Sequence, residues 1–360
     1  MRHARQVELL KRVAASGDHL KGLQAPSSAT NAASDYADPG RFELERNLLF
    51  RPGPLFFGLS ADLAEPGSYR AMRADGIPLV VIRQADGSLK AFVNACRHRG
   101  APLVEPRSSG EGLKAFHCPY HAWTYELSGK LHARPFAAGA FDDVTSNCDL
   151  LTRPVAERYG LIFVRPEGDA PIDVDEVLGG AQDDLGAFAL SGSYHIRALH
   201  SKTLAPTFNS DCVIFEPFGR NLLSVGLRAN VHDEFSKPEE QWSLLPYGTI
   251  QYFLVPNGLV VHQLDHVETW IVEPLSVNRT RTTTSIYAPA PPETDRSYNY
   301  FVKNLDLLLH VTGTEDFALM QQIQESLDAG AVPELVYGAN EPPLIHFHEQ
   351  INRAIAGAVQ

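Results

Sequence analysis

Two short loops constrain this chain more than any other feature. "NACRHRG" supplies Cys96-x-His98, and "HCPYHAWTY" supplies Cys118-x-x-His121. Each pair sits in a turn-rich stretch with strand-like residues on either side. Two thiolates and two imidazoles suit a tetrahedral zinc ion. They equally suit a two-iron, two-sulfur cluster whose cysteines hold one iron and whose histidines hold the other. Zinc fingers keep their cysteine pair apart from their histidine pair. Here each loop gives one of each, which favours the cluster. The chain has only four cysteines, so they point to metal or catalysis rather than a disulfide framework.

The texture around these loops is all-β. "IPLVVIRQADGSLKAFVNA" places two apolar runs around Asp86-Gly87, a hairpin signal. "TYELSGKLHA" repeats it around Ser128-Gly129, and "GLIFV" (160–164) has the apolar run of a buried strand. Before them, "MRHARQVELLKRVAASGDH" carries Val7, Leu10 and Val13 at helical spacing. With Glu8 and Asp18 and no apolar core, it does not resemble a leader, and the expected location is cytoplasmic. The Ala-, Ser- and Pro-rich residues 24–40 are expected to be a linker. After residue 165 come strand-like runs at 221–231, 249–261, 266–273 and 279–287, then helical stretches near 293–311 and 315–328. Strands followed by helices predict an α+β second domain. The expected division is 1–40 (helix and linker), 41–168 (cluster domain) and 169–360 (second domain). A net charge of −12 argues against general nucleic-acid binding. No apolar run is long enough to span a bilayer.

"CRHRGAPLV…FHCPYHAWTY" resembles the Rieske domain of the large (α) subunit of ring-hydroxylating and related Rieske non-heme iron oxygenases. "PGPLFFGLSADLAEPGSYRAM", "LKAFVNACRHRGA" and "GLIFVRPEGD" resemble family segments in family order. The resemblance implies a Rieske [2Fe–2S] cluster on Cys96, His98, Cys118 and His121, with Trp123 packed against the cluster loop. Ala122 stands where relatives usually have Gly. His117, Cys148 and Cys212 match no ligand position.

The family also carries a mononuclear non-heme Fe(II) in a helix-grip domain, held by two histidines and one carboxylate with positions left open. "SYHIRALHSKTLAP" matches its Tyr-His-x4-His pattern with Tyr194, His195, His200, Thr203 and Leu204. Five residues of ideal helix turn through about 500°, leaving the rings about 140° apart. A shared metal therefore needs a distorted turn or a helix end. For the carboxylate, "TEDFALMQQIQESLDAG" predicts a helix from about Thr314 with Leu319, Met320, Ile323 and Leu327 as its apolar face. Asp316 falls on that face, where an acid is costly unless a partner such as Fe(II) offsets its charge. Helix-start electrostatics would also place an acid there. The resemblance assigns Asp316 as third ligand. His262 and His266, in "VVHQLDHVETW", would share one side of a strand; His346 and His348 suggest strand or C-terminal packing. Phe215, Phe253 and Trp270 are candidate pocket aromatics.

One departure is plain. Relatives carry an acid three positions before the first iron histidine, bridging cluster and iron across subunits. This chain has Gly192 there, lacks the preceding Asn-Trp-Lys segment, and has Asp183 and Asp184 as its nearest acids. The expected activity is hydroxylation of an aromatic or other hydrophobic small molecule with O2. Electrons would come from a separate NAD(P)H-dependent reductase, with or without a ferredoxin, because this chain has no dinucleotide fingerprint. The resemblance implies a homotrimer or a multiple of it. The rival is a Rieske electron-transfer or vestigial protein with an inactive iron site.

Overall fold

The computed structural model describes residues 1–16, 25–135, 139, 141, 144, 146–203 and 214–358, without the side chains of Ser16, 198–203, Ala229, Glu315 and Ala358. The chain divides into two compact units. One is Phe50–Val174; the other joins Met1–Leu49 to Asp175–Gln360.

The first unit is all-β. A five-stranded antiparallel sheet runs in the order 152–153, 89–93, 77–83, 69–74, 109–110. A three-stranded sheet (155–158, 161–164, 55–59) packs with it through Leu55, Phe57, Leu79, Val81, Ile162 and Val164. The hairpin at Asp86-Gly87 forms because Gly87 takes φ +82° and Asp86 Oδ1 accepts from Ser88 N. Leu161–Val164 is buried throughout, as its uninterrupted apolar run requires. A smaller sheet (116–117, 124–125, 131–133) presents the second ligand loop over Phe92, Phe116, Trp123 and Tyr125.

The second unit is built on a seven-stranded antiparallel sheet. Its order is 194–203, 279–288, 267–276, 258–262, 248–254, 221–227, 214–218. Helix Asp295–Val311 starts at a Thr294–Ser297 capping box and sets Leu305 against Ile196, Ile286 and Ala288. The N-terminal helix His3–Ser16 forms as its periodicity predicts, burying Gln6, Leu9, Leu10 and Val13. It belongs to this unit, and its Arg5 and Arg12 both pair with Glu216.

Three expectations change. Residues 24–40 are not a plain linker: Ala29–Ala32 pairs with Glu334–Tyr337 in a separate two-stranded sheet, and Pro39 opens a helix capped by Asp38. The run 249–261 is two strands, broken after Leu254 at Val255-Pro256-Asn257. "IHFHEQI" lies in a helix, Pro342–Ala358, whose two opening prolines suit a helix start.

Two half-buried histidines limit the acid stability of this unit. His262 stacks on Phe188 at 4.6 Å and His348 on Tyr337 at 5.1 Å. Burial pulls each imidazole down from 6.5 to about 4. The folded state thus keeps them neutral where the unfolded chain protonates them. Stability is full above pH 6.5 and falls as pH drops toward 4, by roughly 2–3 kcal/mol for each. The urea midpoint should fall between pH 7.5 and 4.5, and less steeply in His348→Asn. An equal fall in that variant would remove His348 as a cause.

Candidate metal centres

The two ligand loops close by the same hydrogen bonds. Cys96 N donates to Ala101 O (2.8 Å) and Gly100 N to Cys96 O (2.8 Å). In the second loop Cys118 N donates to Trp123 O (2.8 Å) and Ala122 N to Cys118 O (3.0 Å). The fourth residue after each cysteine is left-handed: Gly100 at φ +74° and Ala122 at φ +55°. Ala122 thus sits where glycine is unstrained, at a cost of about 1 kcal/mol. Buried Asn94 holds the end of the first loop, accepting from Leu103 N (2.9 Å) and Val104 N (3.2 Å).

The four side chains meet as two pairs. The buried Cys96 and Cys118 thiols lie against each other, and burial is the main force pushing the Cys96 thiol up. The His98 and His121 rings face each other at 4.8 Å. Both Nδ1 atoms are buried without a hydrogen-bond partner, which is costly unless something else takes their lone pairs. Burial, then the facing His121, lowers the His98 imidazole and keeps it in the neutral form that binds metal. Trp123 stacks on His98 at 5.0 Å and 4°, so its expected packing role is met. This donor set fits a cluster with thiolates on one iron and imidazoles on the other. His117 is exposed and bonds to Thr124 Oγ1 (3.1 Å). Cys148 is a free, half-buried thiol, and Cys212 lies outside the described residues.

His195 and His200 lie on a strand, Tyr194–Thr203, at the edge of the sheet. No helical turn is involved. In a regular strand, residues five apart face opposite sides. Here the ladder slips at Ile196: His195 pairs with Tyr287, Arg197 with Ile286, and His200 with Thr283. The partners of positions 195 and 200 are four apart, so a β-bulge brings both onto one face. Ile196 goes to the opposite face, in the cluster around Leu305, where Arg197 also reaches Asp306. His195 is half-buried and lies 5.1 Å from the Tyr287 ring. The side chain of His200 is outside the description.

Asp316 ends a π-turn, Thr312–Asp316, inside one helical run from Asp295 to Asp328. It is not in the first turn of a helix, so helix-start electrostatics do not account for it. The helix after it, Phe317–Asp328, packs against the strand carrying the two histidines. The buried face comprises Met320, Gln324 and Leu327, while Leu319 is 57% exposed. Asp316 shares the helical phase of that face, four residues before Met320, but is itself exposed. Its expected burial cost is therefore absent. Single π-turns concentrate at functional sites. Among the described residues, no three His, Cys, Asp or Glu side chains are grouped to hold a metal ion.

A family described as the Rieske [2Fe-2S] domain matches residues 54–146. The ring hydroxylating alpha subunit catalytic domain matches residues 189–357. The chain carries both domains, the Rieske domain first and the ring-hydroxylating α-subunit catalytic domain second. Curated relatives include the biphenyl dioxygenase α subunit of Paraburkholderia xenovorans, 37% identical over 46% of this chain and 36% of that one. Another is the glycine betaine monooxygenase oxygenase subunit of Chromohalobacter salexigens, 34% identical over 49% of this chain and 38% of that one. The matched stretch is little more than a third of these relatives' length. Solved structures share the fold. A quaternary ammonium Rieske monooxygenase superposes with TM-score 0.77 at 18% identity, over 91% of this chain and 96% of that one. The naphthalene 1,2-dioxygenase of Rhodococcus sp. gives 0.69 at 16% identity, over 98% of both.

In this chain, the position of the missing bridging acid is Gly192, exposed at the end of the turn Leu190–Gly192, with nothing near a side chain there. Buried Asp184 is engaged elsewhere, by Arg5 at 3.4 Å and by Tyr252. Strand register also corrects three side readings. Phe253 and Trp270 lie in the row with Thr284, on the face opposite positions 195 and 200. Phe215 is half-buried beside His346. His262 ends one strand, and His266 stands in the turn before the next, between Asp265 (2.7 Å) and Glu268 (3.2 Å). The sequence reading missed the aromatics that do share the histidine face. Tyr287 and Tyr252 lie on it, and Phe188 packs on Tyr252. It also missed Tyr125, whose hydroxyl lies 3.3 Å from Cys96 Sγ and accepts from Arg97 N (3.0 Å). Hydrogen bonds to ligand sulfur stabilise a reduced cluster. Tyr125→Phe should lower its midpoint potential by about 40–60 mV, the one-electron equivalent of one such bond. An unchanged potential on redox titration would mean the hydroxyl does not reach the sulfur.

Proposed function

We propose that this chain is the oxygenase component of a Rieske-type system that hydroxylates a small molecule with O2. Cys96, His98, Cys118 and His121 would hold the [2Fe–2S] cluster. His195, His200 and Asp316 would hold the Fe(II). The observation that carries most weight is the bulge at Ile196, which turns an odd spacing into a shared face for two histidines. When bound, the metals supply electron storage and O2 reduction. The chain supplies geometry and a dry surface: buried Cys96, Cys118 and Trp123 shield the cluster side. Beside His195, the buried Tyr287 ring gives an apolar floor.

Electrons would come from a separate NAD(P)H-dependent reductase, with or without a ferredoxin, and the assembly would be a homotrimer or a multiple of it in the cytoplasm. Among the described residues, no helix is long and apolar enough to cross a membrane. The substrate would be aromatic or otherwise hydrophobic, by likeness to the biphenyl relative; the glycine betaine relative makes a quaternary amine the second class to try. With a surrogate reductase, NAD(P)H and 18O2, one class should yield a product carrying the label. Reductase-driven oxidation of NAD(P)H with no labelled product from either class would count against the proposal. Gly192 favours a second reading, a Rieske electron-transfer protein, because the usual acid bridge is missing.

A further inference from the structure

Tyr36, Tyr337 and His348 form a part-buried hydrogen-bonded group apart from the ligand loops and the two strand histidines. The Tyr36 hydroxyl lies 2.6 Å from the Tyr337 hydroxyl and 2.7 Å from His348 Nε2. Tyr337 Oη is 3.1 Å from the same nitrogen. His348 stacks on Tyr337, with rings 5.1 Å apart and 8° from parallel. The three come from different elements: a 3-10 turn, the strand Glu334–Tyr337 and the helix Pro342–Ala358. With His348 Nε2 unprotonated, both shorter contacts are satisfied when Tyr337 donates to Tyr36 and Tyr36 donates to His348. Nearby Arg41 is paired with Asp35 at 2.9 Å, so its charge is largely offset.

We infer that this group is a one-electron oxidation site, in which Tyr36 gives up an electron while its phenolic proton passes to His348 Nε2. The O–H bond of Tyr36 breaks and an N–H bond forms on His348. The electron goes to an oxygen-centred peroxyl radical left by incomplete O2 reduction, which leaves as the peroxide anion. A soluble one-electron donor of the ascorbate type re-reduces the phenoxyl and is itself oxidised to its radical, and the proton returns along the same bond. Tyr337 stabilises the phenoxyl oxygen by donating to it. An oxidised phenol is a far stronger acid than imidazolium, so the transfer is downhill even though burial disfavours the charged ring. Burial also holds the Tyr36 proton in place at rest. In a chain that reduces O2, such a site can quench oxidant left over when no substrate is bound. That role rests on the oxygenase reading. The link is structural: Gln324 Nε2 donates to Tyr36 O at 3.1 Å, eight residues beyond Asp316 on the same helical run, or about 12 Å of helix.

The site itself is tested without O2 chemistry. The full chain, with its cluster oxidised, is flash-photolysed with a ruthenium tris-bipyridine and a cobalt(III) quencher, then frozen for electron paramagnetic resonance. A tyrosyl radical is expected, lost in Tyr36→Phe and kept in Tyr298→Phe. His348→Gln accepts the bond but not the proton, and should cut the yield roughly tenfold or more, the weight of a positioned base. Retained visible and circular-dichroism spectra show that each variant folds. An equal radical in Tyr36→Phe, or an unchanged yield in His348→Gln, overturns the inference. A flash radical at Tyr36 with none during substrate-free turnover supports the site and overturns its quenching role, while the oxygenase reading stands or falls on the 18O-labelled product.

Discussion

Deleting Ala198 should abolish iron binding at the second centre while deleting Ile196 should not. Both deletions shorten the same edge strand by one residue. The ladder counts Ile196 and Arg197 as one position against Ile286. Removing Ile196 takes out the bulge and leaves the histidines four apart in a regular strand, still on one face. Removing Ala198 keeps the bulge and leaves an effective spacing of three, which puts them on opposite faces. Ile196 is 7% exposed, against Ile286 and Leu305, so its loss costs roughly 2–4 kcal/mol of packing. Stability and metal binding thus move in opposite directions. The less stable deletion keeps the metal, and the milder one loses it by at least about 100-fold in affinity, since a ligand matters more than its supports. Iron titration of the two proteins, with folding checked by circular dichroism, decides it. Equal affinities would show that the bulge does not set the site.

Glu157→Ala should be among the most damaging single changes in the cluster unit. The Arg83 guanidinium grips Glu157 with both terminal nitrogens, Nη1 at 2.5 Å and Nη2 at 2.7 Å. The pair ties strand 77–83 to strand 155–158, which belong to different sheets. Arg83 is 7% exposed and keeps only the carbonyls of Leu63 (2.7 Å) and Gly87 (2.8 Å) once the carboxylate is gone. A buried cation without its counter-charge costs about 3 kcal/mol, or about 10 °C in the melting of a unit this size. Burial alone would raise the Glu157 carboxyl, yet its bonds to Arg83 and Ser60 hold it below 4.5. Its contribution is therefore present above pH 4.5 and is lost as pH falls through the lower folded value. Glu157→Gln keeps one bond and should lose less. Melting followed at the visible bands of the cluster reads this unit directly; a shift of under 2 °C would contradict the account.

The parts of this protein legible in its sequence are the local ones. Cys96 and His98 are two residues apart, and Cys118 and His121 three, so each loop carries its half of the proposed cluster site whatever the rest of the chain does. The Asp86-Gly87 hairpin and the helix 295–311 are fixed by short-range turn chemistry and periodicity in the same way. What sequence does not show is register. Nothing in "YHIRALH" says that Ile196 is squeezed out of the ladder, because the bulge is defined by pairing with residues 279–288. The same limit hides which aromatics share the histidine face, and it made Phe253 and Trp270 candidates when Tyr252 and Tyr287 are the ones there. Asp316 was expected to be buried because a helix from Thr314 puts it in phase with Met320 and Leu327. Asp316, the last residue of the π-turn, keeps that phase, yet its side chain is exposed. The helix Pro342–Ala358 could have been read from its opening prolines and the spacing of Leu344, Ile351 and Ile355.

The most direct test is the iron and acid-labile sulfide content per chain after anaerobic reconstitution with excess Fe(II), read with the visible spectrum. The account predicts a Rieske spectrum, the cluster's two irons and two sulfides, and one further iron on the histidine–carboxylate site. That further iron should disappear in His195→Ala and in Asp316→Ala while the spectrum stays. Iron that stops at the cluster's two, unchanged by either substitution, would contradict the second centre and leave an electron-transfer protein.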